Sequence, residues 1–325
     1  MTIYLIRRIL YALPILVVIN MLTFTLFFVV NTPDAMARLH LGVKRVTPEA
    51  IDQWKKARGY DQPLFFNEKK EGLDRWTETI FFKKSVALFL FELGHADDGR
   101  DIGMDIRSRM GPSLAIALPT LMLGIVVNIT ASFILAFFRA TYIDYWGVIL
   151  SVVLMSISTL FYIIGGQFFF SKMLRWVPIS GFGEGWDMAK FLILPVAVGL
   201  LSGIGSGVRW YRTLFLEEIG KDYVRTARAK GLSEGAVLFG HVLKNAAVPI
   251  LTGVVVLLPL LFLGALITES FFGIPGLGSY TIDAINSQDF GIVRAMVFLG
   301  SVLYIVGLIL TDLAYTWVDP RVRLG

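Results

Sequence analysis

Few side chains in this sequence could do chemistry, and their spacing points to recognition more than to bond-making. His40, His95 and His241 lie in three separate polar stretches with no shared ligand spacing, so no metal site is expected. Cysteine is absent, which removes disulfides, thiolate ligands and a cysteine nucleophile. Gly273–Gly278 is glycine-rich, but no Lys-Ser/Thr follows it. No Gly-x4-Gly-Lys-Ser/Thr phosphate loop occurs anywhere. The apolar segments hold no paired carboxylates and no Ser-His-Asp set, so neither catalysis nor a cofactor of its own is expected. What remains is a polar, basic loop, residues 209–247, whose centre reads DYVRTARAKGL (Asp222–Leu232).

From Glu217 to Leu232 this loop suits one helix. Ile219, Tyr223 and Ala227 recur at i, i+4 and i+8, with Val224 beside them, and form a narrow apolar face. Glu217 and Lys221 make a favourable i,i+4 pair. Gly231 ends the helix, and Arg228 and Lys230 meet the negative end of its dipole. The small side chains of Ala227 and Ala229 would let another surface come close. So short a helix is marginal alone, which predicts docking on a partner. The plainer alternative is a basic loop resting on anionic lipid headgroups.

The elements that must position this loop are apolar. Apolar residues make up 55% of the chain and charged ones only 17%, below the roughly 25% of a soluble domain. A span needs about 20 apolar residues. Six stretches qualify: Ile9–Val30, Ser113–Phe138, Val148–Phe170, Phe191–Val208, Val248–Ile267 and Ala295–Thr316. The first five contain no Asp, Glu, Lys or Arg, and the sixth contains only Asp312. Each is expected to be helical, because backbone polar groups find no water in lipid. The first run is too long for a signal peptide and lacks a cleavage site, so it reads as a retained span. The predicted fold is therefore an all-α integral membrane protein with six transmembrane helices.

Lysine and arginine set the orientation. With the N-terminus inside, the inner pieces 1–8, 139–147, 209–247 and 317–325 carry twelve, and the short outer pieces 171–190 and 268–294 carry four. Segment 31–112 is too long to count. Both termini are expected to be cytoplasmic. The small basic excess, 30 Lys+Arg against 25 Asp+Glu, is then a matter of topology, and no nucleic-acid partner is expected. The organisation reads as residues 1–30 (inner end and first span), 31–112 (outer loop subdomain), 113–316 (core of five spans with the inner loop 209–247) and 317–325 (inner tail).

In the outer segment, Thr47-Pro48-Glu49 starts a helix: Thr caps, Pro takes the first position and Glu meets the positive dipole end. The helix should stop near Gly59. Val86–Leu93 is too short to cross and follows Lys83 and Lys84, so it reads equally as an interfacial amphipathic helix or as one packed within the loop. Asp97–Asp105 reads as a solvated turn. There is no internal repeat.

Among the spans, Pro14, Pro119, Pro195, Pro249 and Pro259 read mostly as tolerated kinks, with Pro249 the one joining the inner loop to the fifth span. Gly165-Gly166, and Gly199, Gly203 and Gly207 at four-residue spacing, allow close helix contact. Asn20, Asn128 and Gln167 are isolated amides for which interhelical bonding is the cheaper reading and a place on a translocation path the costlier one. No ion-relay role is expected for Asp312.

The spelling of the inner loop carries a resemblance. DYVRTARAKGL followed by Leu243-Lys244-Asn245-Ala246-Ala247-Val248-Pro249 closely resembles the signature loop of ABC-importer permeases of the dipeptide/oligopeptide branch. Where the broad family has Glu-Ala-Ala, three residues and Gly, this chain has Arg225-Thr226-Ala227 and Gly231, the usual peptide-branch spelling. TIYLIRRIL at the start, Thr47-Pro48-Glu49 with Gly59–Leu64, Glu269–Phe272 with Gly273–Gly278, and Asp312 through Asp319-Pro320-Arg321 are similar to other parts of that family. The stretch Asn67–Ala96 is longer than usual. The resemblance thus covers nearly the whole chain.

The resemblance implies the type I ABC-importer permease fold in a bacterial or archaeal inner membrane. It implies a second, homologous permease as heterodimer partner, one or two cytoplasmic ATP-binding subunits, and a periplasmic or lipid-anchored substrate-binding protein. It places Asp222, Tyr223, Arg225, Thr226, Ala227, Arg228, Ala229, Lys230, Gly231 and Leu232 in the ATPase-coupling helix, with ATP bound by the partner. It places Gly273, Pro275, Gly276 and Gly278 in an outer-loop motif before the last span. The implied cargo is di- or oligopeptides, with glutathione, nickel complexes and sugars as relatives' alternatives. An ion-coupled secondary transporter would ordinarily carry ionisable groups in mid-membrane, and five of these six runs have none.

Overall fold

The uncharged runs fold as expected of chain that must satisfy its own backbone. The computed structural model describes residues 2–42 and 46–318, so Asp319-Pro320-Arg321 and the rest of the tail lie outside the described residues. Helix α1 (Thr2–Phe24) continues through a π-helical turn, Thr25–Val30. Short helices α2 (Pro33–Leu41), α3 (Pro48–Arg58) and α4 (Asp74–Thr77) follow. Then come α5 (Ile102–Phe137), α6 (Tyr142–Ser156), α7 (Thr159–Gly166, extended by a π turn to Met173) and α8 (Met188–Ile219). Next are α9 (Asp222–Ala229) and α10 (Glu234–Val237), the latter running through a π turn into α11 (Leu243–Leu260). The last three are α12 (Leu266–Phe272), α13 (Leu277–Ser287) and α14 (Phe290–Val318). Among the described residues there is no strand, only an isolated bridge between His95 and Asp101.

Among the described residues five helices are long and apolar enough to cross a bilayer, and α6 with the α7 stretch forms one pair, bent by 85°, that would make a sixth span. The expected straight span Val148–Phe170 is therefore corrected. Ile157 is extended (φ −87°, ψ 125°), as is Ser158, and the Ser156 hydroxyl donates to the Val152 carbonyl, competing with the helix ladder. The expected span Val248–Ile267 is also corrected. Its helix stops at Leu260, and Gly264 (φ +75°) turns the chain in a region open mainly to glycine. Pro14, Pro119, Pro195 and Pro249 all lie inside continuous helices.

The chain divides into two compact units. One comprises Met1–Arg109 with Tyr280–Ile305. Its core gathers Phe24, Phe28, Met36, Ile51, Trp54 and Ile80. As the sequence indicates, the Thr47 hydroxyl caps α3 by accepting from the Ala50 amide, and Gly59 (φ +67°) closes it. Asp97–Asp105 is more than a solvated turn. Arg58 Nε donates to Asp97 Oδ1 at 2.7 Å, and the Asp97 amide donates to Asp289 Oδ2 at 2.6 Å. Burial pushes the Asp289 carboxyl above the usual range.

The other unit comprises Met110–Ser279 with Val306–Gly325. The glycine stripe of α8 works in two ways here. A Cβ at Gly199 would meet the Thr120 side chain at 2.8 Å, and one at Gly207 would meet Asn128 at 2.5 Å, so both bring α8 against α5. Gly203 meets nothing within 4 Å and opens on a cavity of about 470 Å³ that Asn128, Ser206 and Trp210 also line. Gln167 donates to the Ile179 and Phe271 carbonyls, as the cheaper reading of that amide required.

Candidate coupling surface

Helix α9 is built differently from the single helix the sequence indicates. Gly220 and the extended Lys221 (ψ 154°) break the chain after Ile219, and the helix restarts at Asp222, whose carboxylate sits in the new first turn. The expected Glu217–Lys221 pair is replaced by Lys221 on Glu218, one residue later. The break lets α9 turn its apolar side back onto its own chain. Val224 (0% exposed) and Ala227 (4%) pack in a core with Phe133, Phe215, Val237 and Ala246.

That placement corrects one expectation. Ala227 cannot open the helix to a foreign surface, because it is 4% exposed and already buried in the core that includes Phe215 and Val237. Tyr223 is half-buried and donates its hydroxyl to Glu218; burial and that bond push its pKa up to about 12. Arg228 forks onto Glu234 at 2.6 and 3.1 Å, tying the end of α9 to the start of α10. Ser233 caps α10 through the Ala236 amide.

The remaining side is free. Asp222, Arg225, Thr226, Ala229 and Lys230 are exposed and fall at i, i+3, i+4, i+7 and i+8, so they form one continuous face. Gly231 (φ +79°) ends it, with nothing within 4 Å of where a Cβ would stand, and exposed Leu232 follows. Arg225 is 74% and Asp222 96% exposed, and the two are linked only by a 3.5 Å contact. The face is charged at its rim and small at Ala229, which suits insertion into a groove of another protein.

Sequence reasoning missed what holds this face still. Arg212 Nε and Nη2 bind both Asp144 oxygens at 2.7 Å each, and the Ala140 amide donates to the same carboxylate at 3.1 Å. This bidentate pair fastens the C-terminal part of α8 to the start of α6. The only signal was an acidic residue in the first turn of an otherwise apolar helix. Phe239, exposed and tilted against Phe133 at 4.6 Å, was also missed.

The glycine motif after α12 is a cage for a carboxylate. Glu269 is 0% exposed; its Oε1 accepts from the Ala265 amide at 2.8 Å, and its Oε2 from Gly278 and Ser279 at 2.7 and 3.1 Å. A Cβ at Gly276 would stand 2.2 Å from Glu269 Oε2, and one at Gly278 would stand 2.7 Å from the Leu266 amide nitrogen. Gly273 (φ +62°) caps α12, Pro275 is exposed, and α13 intervenes between the motif and the last span.

Residues 128–324 match the family described as binding-protein-dependent transport system inner membrane component, and residues 1–88 match its N-terminal companion. The chain belongs to this family. As a binding-protein-dependent permease it is similar along almost its whole length to curated relatives. A putative peptide transport system permease of Brucella abortus (strain 2308) is 31% identical, covering 99% of both chains. The dipeptide transport system permease of Alkalihalophilus pseudofirmus is 26% identical over 98% of this chain and 99% of its own. A probable peptide ABC transporter permease of Sinorhizobium fredii is 34% identical over 67% of this chain and 71% of its own. The fold is that of a type I importer permease, a multi-pass component of the inner membrane.

Proposed function

We propose that this chain is one permease subunit of an ATP-driven importer that takes up peptides delivered by a separate binding protein. The observation that carries the reading is the continuous exposed face of α9, whose opposite side is packed into the chain's own core. In this reading loop 209–247 and both termini are cytoplasmic, and segment 31–112 faces outward. The α9 face sits in a cleft of an ATPase subunit, which binds the ATP. A second, homologous permease completes the pore. The peptide cargo is supported by the printed names of the relatives.

The frame explains how force would pass. A handle transmits motion only if it cannot swivel. Tyr223 on Glu218, Arg228 on Glu234 and the Val224–Ala227 core fix α9 to α8 and α11, and Arg212 on Asp144 fixes α8 to α6. Closure of an ATPase dimer would then move these helices as a body. In proteoliposomes holding the full complex, peptide uptake is expected to need both ATP and the binding protein. Uptake that persists with ATP depleted and a proton gradient kept would contradict the reading.

A further inference from the structure

Residues 82–91 carry exposed apolar side chains whose surroundings fix their depth. Asn20 lies ten residues inside the end of the first apolar run at Val30, about 15 Å along the helix at 1.5 Å per residue. Its Nδ2 nonetheless donates to the Ser85 carbonyl at 2.8 Å, in a buried contact. One turn further out, Phe24 packs edge-on against Phe81 at 5.1 Å. The last span gives a second, independent ruler. Phe298 lies three residues inside the last apolar run, which starts at Ala295, about 4.5 Å along the helix, and it meets Phe89 at 5.4 Å and Phe91 at 6.3 Å. Both contacts set the segment beside residues within the apolar runs of the first and last spans, deeper on the first than on the last.

The segment is also wound as lipid requires. A π turn over Phe82–Val86 passes into a 3-10 turn over Ala87–Leu90, and the Phe91 and Glu92 amides donate to Leu88 and Ala87. The carbonyls of Ser85, Ala87 and Leu88 are thus met by Asn20 or within the segment. Ser85 and Leu88 point inward, while Phe82, Leu90 (73% exposed) and Phe91 (62%) point out. Phe91 is held at φ +59°, a left-handed conformation uncommon for a bulky residue. The lysine next to the buried serine reaches away from this depth. Lys84 Nζ lies 5.4 Å from the Tyr60 ring, which packs on Phe28, two turns outward of Asn20. The first span also carries exposed apolar side chains, among them Leu22 in α1 and Leu26 in the π turn that follows.

We propose that residues 82–91 are a re-entrant segment lying in the bilayer leaflet on the side of 31–112, with Phe82, Leu90 and Phe91 against lipid acyl chains. In the topology proposed above this is the outer leaflet. Because the chain has no cysteine, Leu90→Cys and Phe91→Cys can each carry a single nitroxide label in the complete transporter in lipid nanodiscs. Collision with oxygen is expected to exceed collision with a water-soluble nickel chelate several-fold at both sites, as at Leu22→Cys on the face of α1. The order should reverse at Leu73→Cys, an exposed site that follows the charged stretch Glu68–Glu71 of the same loop. Nickel access at 90 and 91 equal to that at 73 would overturn the proposal. So would protection from both reagents, which would mean a protein covers the patch. Labelling of Lys69→Cys in sealed cells by an impermeant thiol reagent separately tests the sidedness. If only lysed cells react, the segment stays re-entrant and the topology falls.

Discussion

Arg225→Glu is expected to abolish coupling while leaving the fold intact. Arg225 stands at the middle of the exposed α9 face, and its one ion pair, with the almost fully exposed Asp222, is of the kind that contributes little to stability. Nothing in the chain's own core depends on it. At a docked interface the same side chain would be central and desolvated, where arginine truncations commonly cost about 2 kcal/mol or more, roughly thirtyfold in affinity. Co-purification of the ATPase and ATP-driven uptake should both fall by at least that order, with thermal stability in detergent unchanged. Ala227→Asp is the instructive contrast. It would bury an unpaired charge against Phe133 and Phe215, at a cost of several kcal/mol, so it should reduce the yield of folded protein before docking can be measured. Full ATPase recovery with Arg225→Glu would count against the docking face.

Glu269→Ala should be the most destabilising single change at the glycine motif. The carboxylate takes three backbone amides, from Ala265, Gly278 and Ser279, at a site closed to water. Truncation leaves all three donors unmet, each at about 1–3 kcal/mol, so a loss of several kcal/mol follows. Glu269→Gln keeps one acceptor oxygen and should fall between the two. Gly276→Ala should resemble the alanine variant, because its Cβ would stand 2.2 Å from the Glu269 carboxylate. Thermal unfolding of the purified protein reads this order directly. A Glu269→Ala midpoint equal to that of the parent would show the cage to be dispensable.

The long apolar runs made five of the membrane-length helices legible, and the sixth run as a bent pair of shorter helices, because a stretch of that length without charge has few other fates. Thr47-Pro48-Glu49 and Gly59 marked both ends of α3 for the same local reason: caps act within one turn. The helical period of loop 209–247 correctly set Val224 beside Ala227. Which side faced inward was not legible. Periodicity gives an apolar face but not what covers it, and here the cover is Phe133, Phe215 and Ala246, which lie far away in sequence. The break at Gly220 and the bend at Ile157 escaped for another reason. Both rest on one or two residues leaving helical dihedrals inside segments whose composition is otherwise helical. The Glu269 cage was seen only as a glycine pattern. The residue that requires those glycines was quoted with the motif but given no role.

A photo-activatable amino acid placed at Ala229, on the exposed side of α9, offers the sharpest test. In native membranes holding the complete transporter it should cross-link to the ATPase subunit, and the same probe at exposed Leu73, in the segment expected to face outward, should not. Reaction of position 229 with lipid alone, or with a partner reached from outside the cell, would contradict the coupling role of this loop.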